Sequence, residues 1–203
     1  VFQEYVAHEA DLCFKLPENV STMEGALIEP LAVGMHAANQ GGAHLGQTAV
    51  VTGAGCIGLV TLLSLKAMGV SNVIVVDIME KRLQKALELG ATAVINGKEE
   101  DTVAVLRSEE MYGDHGVDLV FEAAGAVFTA QQAVQIVSRG GKIMMVGTQS
   151  KPVPIDFLKI NREVTIQTSF RYCNNYPQTI EAIRSGKFNV KDMVTHVSVS
   201  YTH

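Results

Sequence analysis

The chain alternates short, almost wholly apolar runs with longer segments in which apolar and polar positions are mixed. Thr48–Thr52, Asn72–Asp77, residues 93–95, Val117–Glu122 and residues 142–147 are runs of this kind, and residues 164–169 read as a sixth, more polar strand. Their length and their bounding glycines predict buried strands. The mixed segments between them predict helices over residues 59–68, 81–89, 101–111, 128–137 and 177–185. Gly90 supplies a C-terminal stop for the second of these, and Pro177 stands at the tolerated first position of the last. Strands that are apolar throughout and alternate with helices predict a parallel sheet covered on both faces. The expected fold is therefore α/β: a doubly wound, six-stranded parallel sheet in the order 3-2-1-4-5-6, with ligands at the carboxyl ends of the strands.

The two ends of the chain read differently. Residues 1–6 alternate like a strand, and residues 13–17 form a second extended piece ending at Pro17. Residues 194–199 read as a third stray strand. Two strands without a sheet are marginal in water, so these pieces are expected to belong to a larger neighbouring domain. Ser21-Thr22-Met23-Glu24 matches a capping box that starts a helix running from Met23 to about Gln40 and ending at Gly41-Gly42. Glu29 stands beside Pro30 in that helix, at an expected kink or break. The domain reading is 1–22 as a remnant, 23–190 as the nucleotide fold, and 191–203 as a return to the neighbouring domain.

The sharpest motif is Gly53-Ala54-Gly55-Cys56-Ile57-Gly58, which follows the first strand and opens a helix. Strand, three glycines at this spacing, then helix is a dinucleotide-binding arrangement. Gly53 allows the tight turn, Gly55 lets a pyrophosphate approach the backbone, and Gly58 lets the helix pack on the strand. The N–H groups of Cys56 and Ile57 at the helix start offer an anion site, and the Cys56 side chain is read as space-filling. Asp77 ends the second strand nineteen residues beyond Gly58. That spacing suits a carboxylate on the adenosine ribose and favours NAD over NADP, because it would repel a 2′-phosphate. Lys81 and Arg82 could soften that repulsion, or form only a solvated helix face.

Composition narrows the field. The chain has 203 residues, is 47% hydrophobic and 18% charged, and carries a net charge of -5. It can bury a core, and it lacks the basic stripe that nucleic acid requires. No apolar run is long enough to span a membrane. Nothing at the N-terminus reads as a signal peptide. The three cysteines, Cys13, Cys56 and Cys173, suggest neither disulfides nor a structural zinc site, so a reduced, cytoplasmic setting is expected.

Several stretches together resemble the medium-chain, zinc-dependent polyol dehydrogenases, the sorbitol and xylitol branch of the alcohol dehydrogenase superfamily. They are residues 25–34, the glycine turn, Glu122-Ala123-Ala124-Gly125, Arg139-Gly140-Gly141 and Phe170-Arg171-Tyr172-Cys173-Asn174. The last is the most discriminating. The resemblance runs through essentially all of the chain and implies a Rossmann domain with remnants of a GroES-like, β-rich catalytic domain at either end. It implies NAD as cofactor, zinc in the complete enzyme, a small polyol and its ketose as substrates, and a dimer or tetramer. Most zinc ligands are missing from the sequence, so the chain is expected to bind NAD(H) without turning over polyol alone.

The same resemblance assigns roles residue by residue. Glu29 is implied to face the zinc, as ligand or through its water; the residues alone leave open a carboxylate turned to solvent. Ala124, Gly125, Val146, Gly147 and Thr148 are implied to line the nicotinamide, although small residues in tight turns read the same way. Arg82 is implied to lie beside the adenosine. Phe170 and Arg171 are implied to reach the nicotinamide end, with Arg171 touching cofactor or polyol, against the alternative of a surface arginine. Cys173 is read as a packed thiol, and His36 and His44 as structural or exposed. A stand-alone NAD-sensing module and an adenosylmethionine-dependent methyltransferase are the competing readings.

Overall fold

The six expected strands form one all-parallel sheet in the order β3-β2-β1-β4-β5-β6. The strands are β1 (Thr48–Thr52), β2 (Asn72–Asp77), β3 (Ala93–Asn96), β4 (Val117–Glu122), β5 (Val137–Met145) and β6 (Thr165–Thr168). The structure, a computed structural model, describes residues 4–160 and 163–197. The helices are α1 (Thr22–Gly41), α2 (Cys56–Ala67), α3 (Glu80–Glu88), α4 (Thr102–Leu106), α5 (Val127–Ile136) and α6 (Tyr176–Arg184).

Both faces of the central strands β1, β2 and β4 are buried, which is why these strands lack a polar side, whereas the edge strand β6 is largely exposed and polar. Val51 pairs with Val75 and Phe121, and Phe121 with Met144, so these four form a row packed under α1 and α2. One residue earlier, Val50, Ile74, Val120 and Ile143 form the opposite row, packed against α4 and α5 residues such as Leu106 and Val134. Each side chain of this size contributes roughly 1.5–3 kcal/mol when fully buried. A one-residue slip in any central strand would exchange the two rows, so register is firmly set. It places Thr52 opposite Glu122, and Asp77 one step beyond the Thr52–Val76 pair, all at the carboxyl edge.

Four expectations about local structure are corrected. α1 runs unbroken through Pro30. The proline removes one hydrogen bond, but Ile28, Leu31, Ala32 and Met35 on both sides of it bury in the same core. The carbonyl left without a partner belongs to exposed Ala26, where water can satisfy it. The stray strands do not form among the described residues. Residues 4–9 and 13–17 pair with nothing as strands, Ala10–Leu12 makes a single 3-10 turn, and residues 194–197 are irregular. Tyr5 and Val6 are accordingly exposed. Residues 1–3, 198 and 199 lie outside the described residues. Finally, the helix expected over 101–111 stops at Leu106, and β5 starts at Val137 with a register shift opposite Val117 and Leu119.

The capping box is present with both reciprocal bonds: Glu24 N–H donates to Ser21 Oγ, and Ser21 N–H donates to Glu24 Oε2. Ser21→Ala is expected to lower stability by about 1 kcal/mol in urea denaturation.

Candidate functional site

β1 delivers the chain to Gly53, whose φ of 93° is open only to glycine at low cost. Gly53 N–H donates to Val76 O at 2.7 Å, and a Cβ on it would meet Ala124 N at 2.8 Å. The turn is thus wedged between the ends of β2 and β4. α2 starts at Cys56 with Gly55 as N-cap, and no side chain caps this end. Its first-turn N–H groups and positive dipole end therefore remain available to an anion. The Cys56 side chain is exposed, not space-filling; desolvation and the negative charge of Glu29 raise its thiol pKa, which argues against a reactive thiolate.

Asp77 closes β2 and is 8% exposed. Its Oδ2 accepts from Ala54 N–H at 2.7 Å and its Oδ1 from Met79 N–H at 2.9 Å. One carboxylate therefore pins both the glycine turn and the loop into α3. Arg82 Nη1 lies 3.8 Å from Asp77 Oδ2 with its side chain half exposed. These residues open onto a cleft of about 400 Å³ between the ends of β1, β2 and β4 and the start of α5. Of the sequence-derived site residues, the cleft brings together Gly53, Gly55, Asp77, Arg82 and Ala124. Its apolar walls include Val76, Ile78 and Phe128.

Cys56, Ile57 and Gly58 continue from the turn into α2. Gly125, Val146, Gly147 and Thr148 sit at the ends of β4 and β5, where a Cβ on Gly125 would meet Thr148 O at 2.7 Å. Phe170 and Arg171 follow β6 and are exposed, with the Arg171 guanidinium 5.3 Å from the Phe170 ring centroid. Arg171 has a φ of 52°. None of these nine lines the cleft. Cys173 is exposed, which corrects its reading as a packed thiol.

Glu29 is exposed on α1 and faces a separate small groove with Phe14, Tyr176 and Ile180. Tyr172 and Tyr176 stack nearby, their hydroxyls 2.9 Å apart. That hydrogen bond, then burial, then the charges of Tyr176 and Glu29, push the Tyr172 hydroxyl up to about 12, so it stays protonated at neutral pH. Among the described residues no three His, Cys, Asp or Glu side chains group so as to hold a metal. Glu29 alone does not make a zinc site, and no chemical step is derived through zinc.

Sequence reasoning passed over Glu122 as a site residue. It ends β4 as Asp77 ends β2, and a carboxylate terminating an otherwise apolar central strand was the available signal. It is fully buried and hydrogen-bonds the backbone of the next loop. Thr102 and Gln132, which also line the cleft, were missed, because neither belongs to a motif.

Comparison with known proteins places the chain in a family. A zinc-type alcohol dehydrogenase-like protein of Escherichia coli K12, YdjJ, is 56% identical over 95% of the chain. Human sorbitol dehydrogenase is 42% identical, again over 95% of the chain. The chain spans about half the length of these curated relatives, 55% and 54% respectively. A solved short chain alcohol dehydrogenase of E. coli CFT073, complexed with NADH, superposes with a TM-score of 0.86 at 28% identity, covering 92% of this chain and 55% of that one. A zinc-binding dehydrogenase of Sinorhizobium meliloti 1021, bound to NADP, gives 0.85 at 27% identity, covering 90% and 54%. No described helix is long and apolar enough to cross a membrane. The family model described as zinc-binding dehydrogenase matches residues 56–185, so the chain belongs to that family of oxidoreductases.

Proposed function

We propose that this chain is the NAD(H)-binding portion of an oxidoreductase that interconverts a small polyol and its ketose. The observation that carries the reading is a cleft with an uncapped helix start at Gly55 on one side and the Asp77 carboxylate at its rim. The pyrophosphate lies on the first turn of α2, the adenosine ribose on Asp77, and the base between Ile78 and Phe128. The second nucleoside continues across the sheet toward the ends of β4, β5 and β6. Likeness to sorbitol dehydrogenase supports a polyol as substrate, with hydride passing to the nicotinamide. Glu29 and Arg171 are assigned to the substrate side, Glu29 as the single metal-side carboxylate of this chain. On this reading the chain by itself binds cofactor without oxidising polyol, because Glu29 is the one metal-side residue assigned to it and a catalytic zinc needs three protein ligands. Copies associate as a dimer or tetramer, with β6, the more exposed of the two edge strands among the described residues, as the edge for pairing.

A 2′-phosphate close to Asp77 would face a like charge, costing about 1–3 kcal/mol at a partly solvated site. NADH is therefore expected to bind at least about tenfold more tightly than NADPH. Fluorescence titration tests this directly, since the chain has no tryptophan to add indole emission. Equal binding of both nucleotides would remove the ribose role of Asp77. Binding of neither would remove the function, and zinc-dependent polyol oxidation by this chain would overturn its predicted inactivity.

A further inference from the structure

Glu122 is the buried carboxylate that cofactor contact alone does not explain. It is 0% exposed, and among the described residues no Lys, Arg or His pairs with it. Burying an unpaired carboxylate costs several kcal/mol unless donors replace its water. Here they come from three separate elements. Oε1 accepts from Ala124 N–H at 3.0 Å, Gly125 N–H at 2.9 Å and Thr129 Oγ1 of α5 at 2.7 Å. Oε2 accepts from Gln149 Nε2, beyond β5, at 2.8 Å. The backbone carbonyl of the same residue accepts from Val146 N–H at 2.8 Å and Gly147 N–H at 2.7 Å.

The loops after β4 and β5 are thus both fastened to one residue, and they touch each other. A Cβ on Gly147 would lie 2.4 Å from Gly125 N and 2.9 Å from Glu122 Oε2. Ala124 and Thr129, two of the groups Glu122 holds, line the cleft. Asp77 does the corresponding work in the first half of the sheet, pinning Ala54 and Met79. In a doubly wound fold a dinucleotide crosses at the β1/β4 switch point, so one nucleoside lies along β1–β3 and the other along β4–β6.

We infer that Glu122 is a positioning residue for the nicotinamide half of the cofactor: it locks the loops after β4 and β5 together into one preorganised wall, with Gln149 as the bridge between them. The inference rests on the NAD(H) reading above. A carboxylate suits the task because one oxygen accepts from two successive N–H groups and a hydroxyl while the other still reaches a second loop.

The test compares NADH with ADP-ribose, which shares everything but the nicotinamide, by calorimetric titration of the full chain. Glu122→Ala is expected to weaken NADH about tenfold or more and ADP-ribose by no more than about threefold, the smaller loss coming through Ala124 and Thr129 in the cleft. Gln149→Ala leaves the bonds within the β4 loop intact and is expected to weaken NADH about threefold, with ADP-ribose unchanged. Glu122→Gln is the rescue variant. It keeps Oε1 as acceptor, and its amide can donate to Gln149 Oε1, which is buried without a partner among the described residues, once the Gln149 amide turns over. NADH affinity should then stay within about threefold of wild type. Equal loss of both ligands in the Ala variants, or loss of neither, overturns the inference while leaving the cofactor reading intact. Failure of the wild-type chain to bind NADH removes the cofactor reading itself. If Glu122→Ala does not fold, Gln149→Ala decides the question.

Discussion

Gly55→Ala is expected to weaken NADH binding at least about tenfold while leaving the fold in place. Gly55 has φ -74° and ψ -174°, extended values that any residue adopts, and a Cβ there would meet, among the described residues, no atom within 4 Å beyond its own chain neighbours. The folded chain has no steric reason to object to the methyl group. Alanine is a poorer N-cap than glycine but leaves fewer unfolded conformations, so stability should change by less than about 1 kcal/mol. The space the methyl enters borders the first-turn N–H groups of α2, where the pyrophosphate is proposed to sit. A methyl group there holds the phosphate oxygens away from their donors. An unchanged melting curve with lost binding would locate the anion. Unchanged binding in a folded variant would place the pyrophosphate elsewhere.

Gly58→Ala is expected to do the opposite and damage the fold itself. Helix propensity favours alanine at this position by about 1 kcal/mol. Packing overrides it, because the new Cβ would lie 1.7 Å from Gly53 O and 2.8 Å from Gly53 C. The obstructing atoms are backbone, so no rotamer change relieves them. Gly53 cannot easily retreat either, since its N–H is bound to Val76 O and its own Cβ position is closed off by Ala124. α2 must lift from the turn, at a cost of about 3 kcal/mol or more, read as a lower urea midpoint. A neutral or stabilising effect would show that α2 and the turn are not packed this closely. The paired variants separate two roles that one sequence motif presents as alike.

β1, β2 and β4 occupy the expected residues because each is a short apolar run bounded by polar or glycine punctuation, and the strand order followed from the alternation with helices. The same logic misled at the ends. Residues 4–6 and 13–17 have the local pattern of strands, but a strand needs a partner, and pattern carries no information about partners. Pro30 misled in the other direction: a local breaker was outweighed by apolar residues buried on both sides of it. At the candidate site, the glycines and Asp77 were legible because spacing encodes their geometry. Glu122 was legible only as a residue in a string. Its importance lies in donors from residues 124, 125, 129 and 149, which topology, not sequence spacing, brings to one carboxylate.

The bond from Ala54 N–H to Asp77 Oδ2 bears on any attempt to re-engineer cofactor preference. Replacing Asp77 to admit a 2′-phosphate would remove a like charge and, in the same step, untie the glycine turn from β2. On the proposed NAD(H) reading, selectivity and pyrophosphate affinity are therefore not separate dials. A successful exchange toward NADP needs a residue at position 77 that still accepts from Ala54, such as asparagine or serine, with new positive charge supplied from the α3 side.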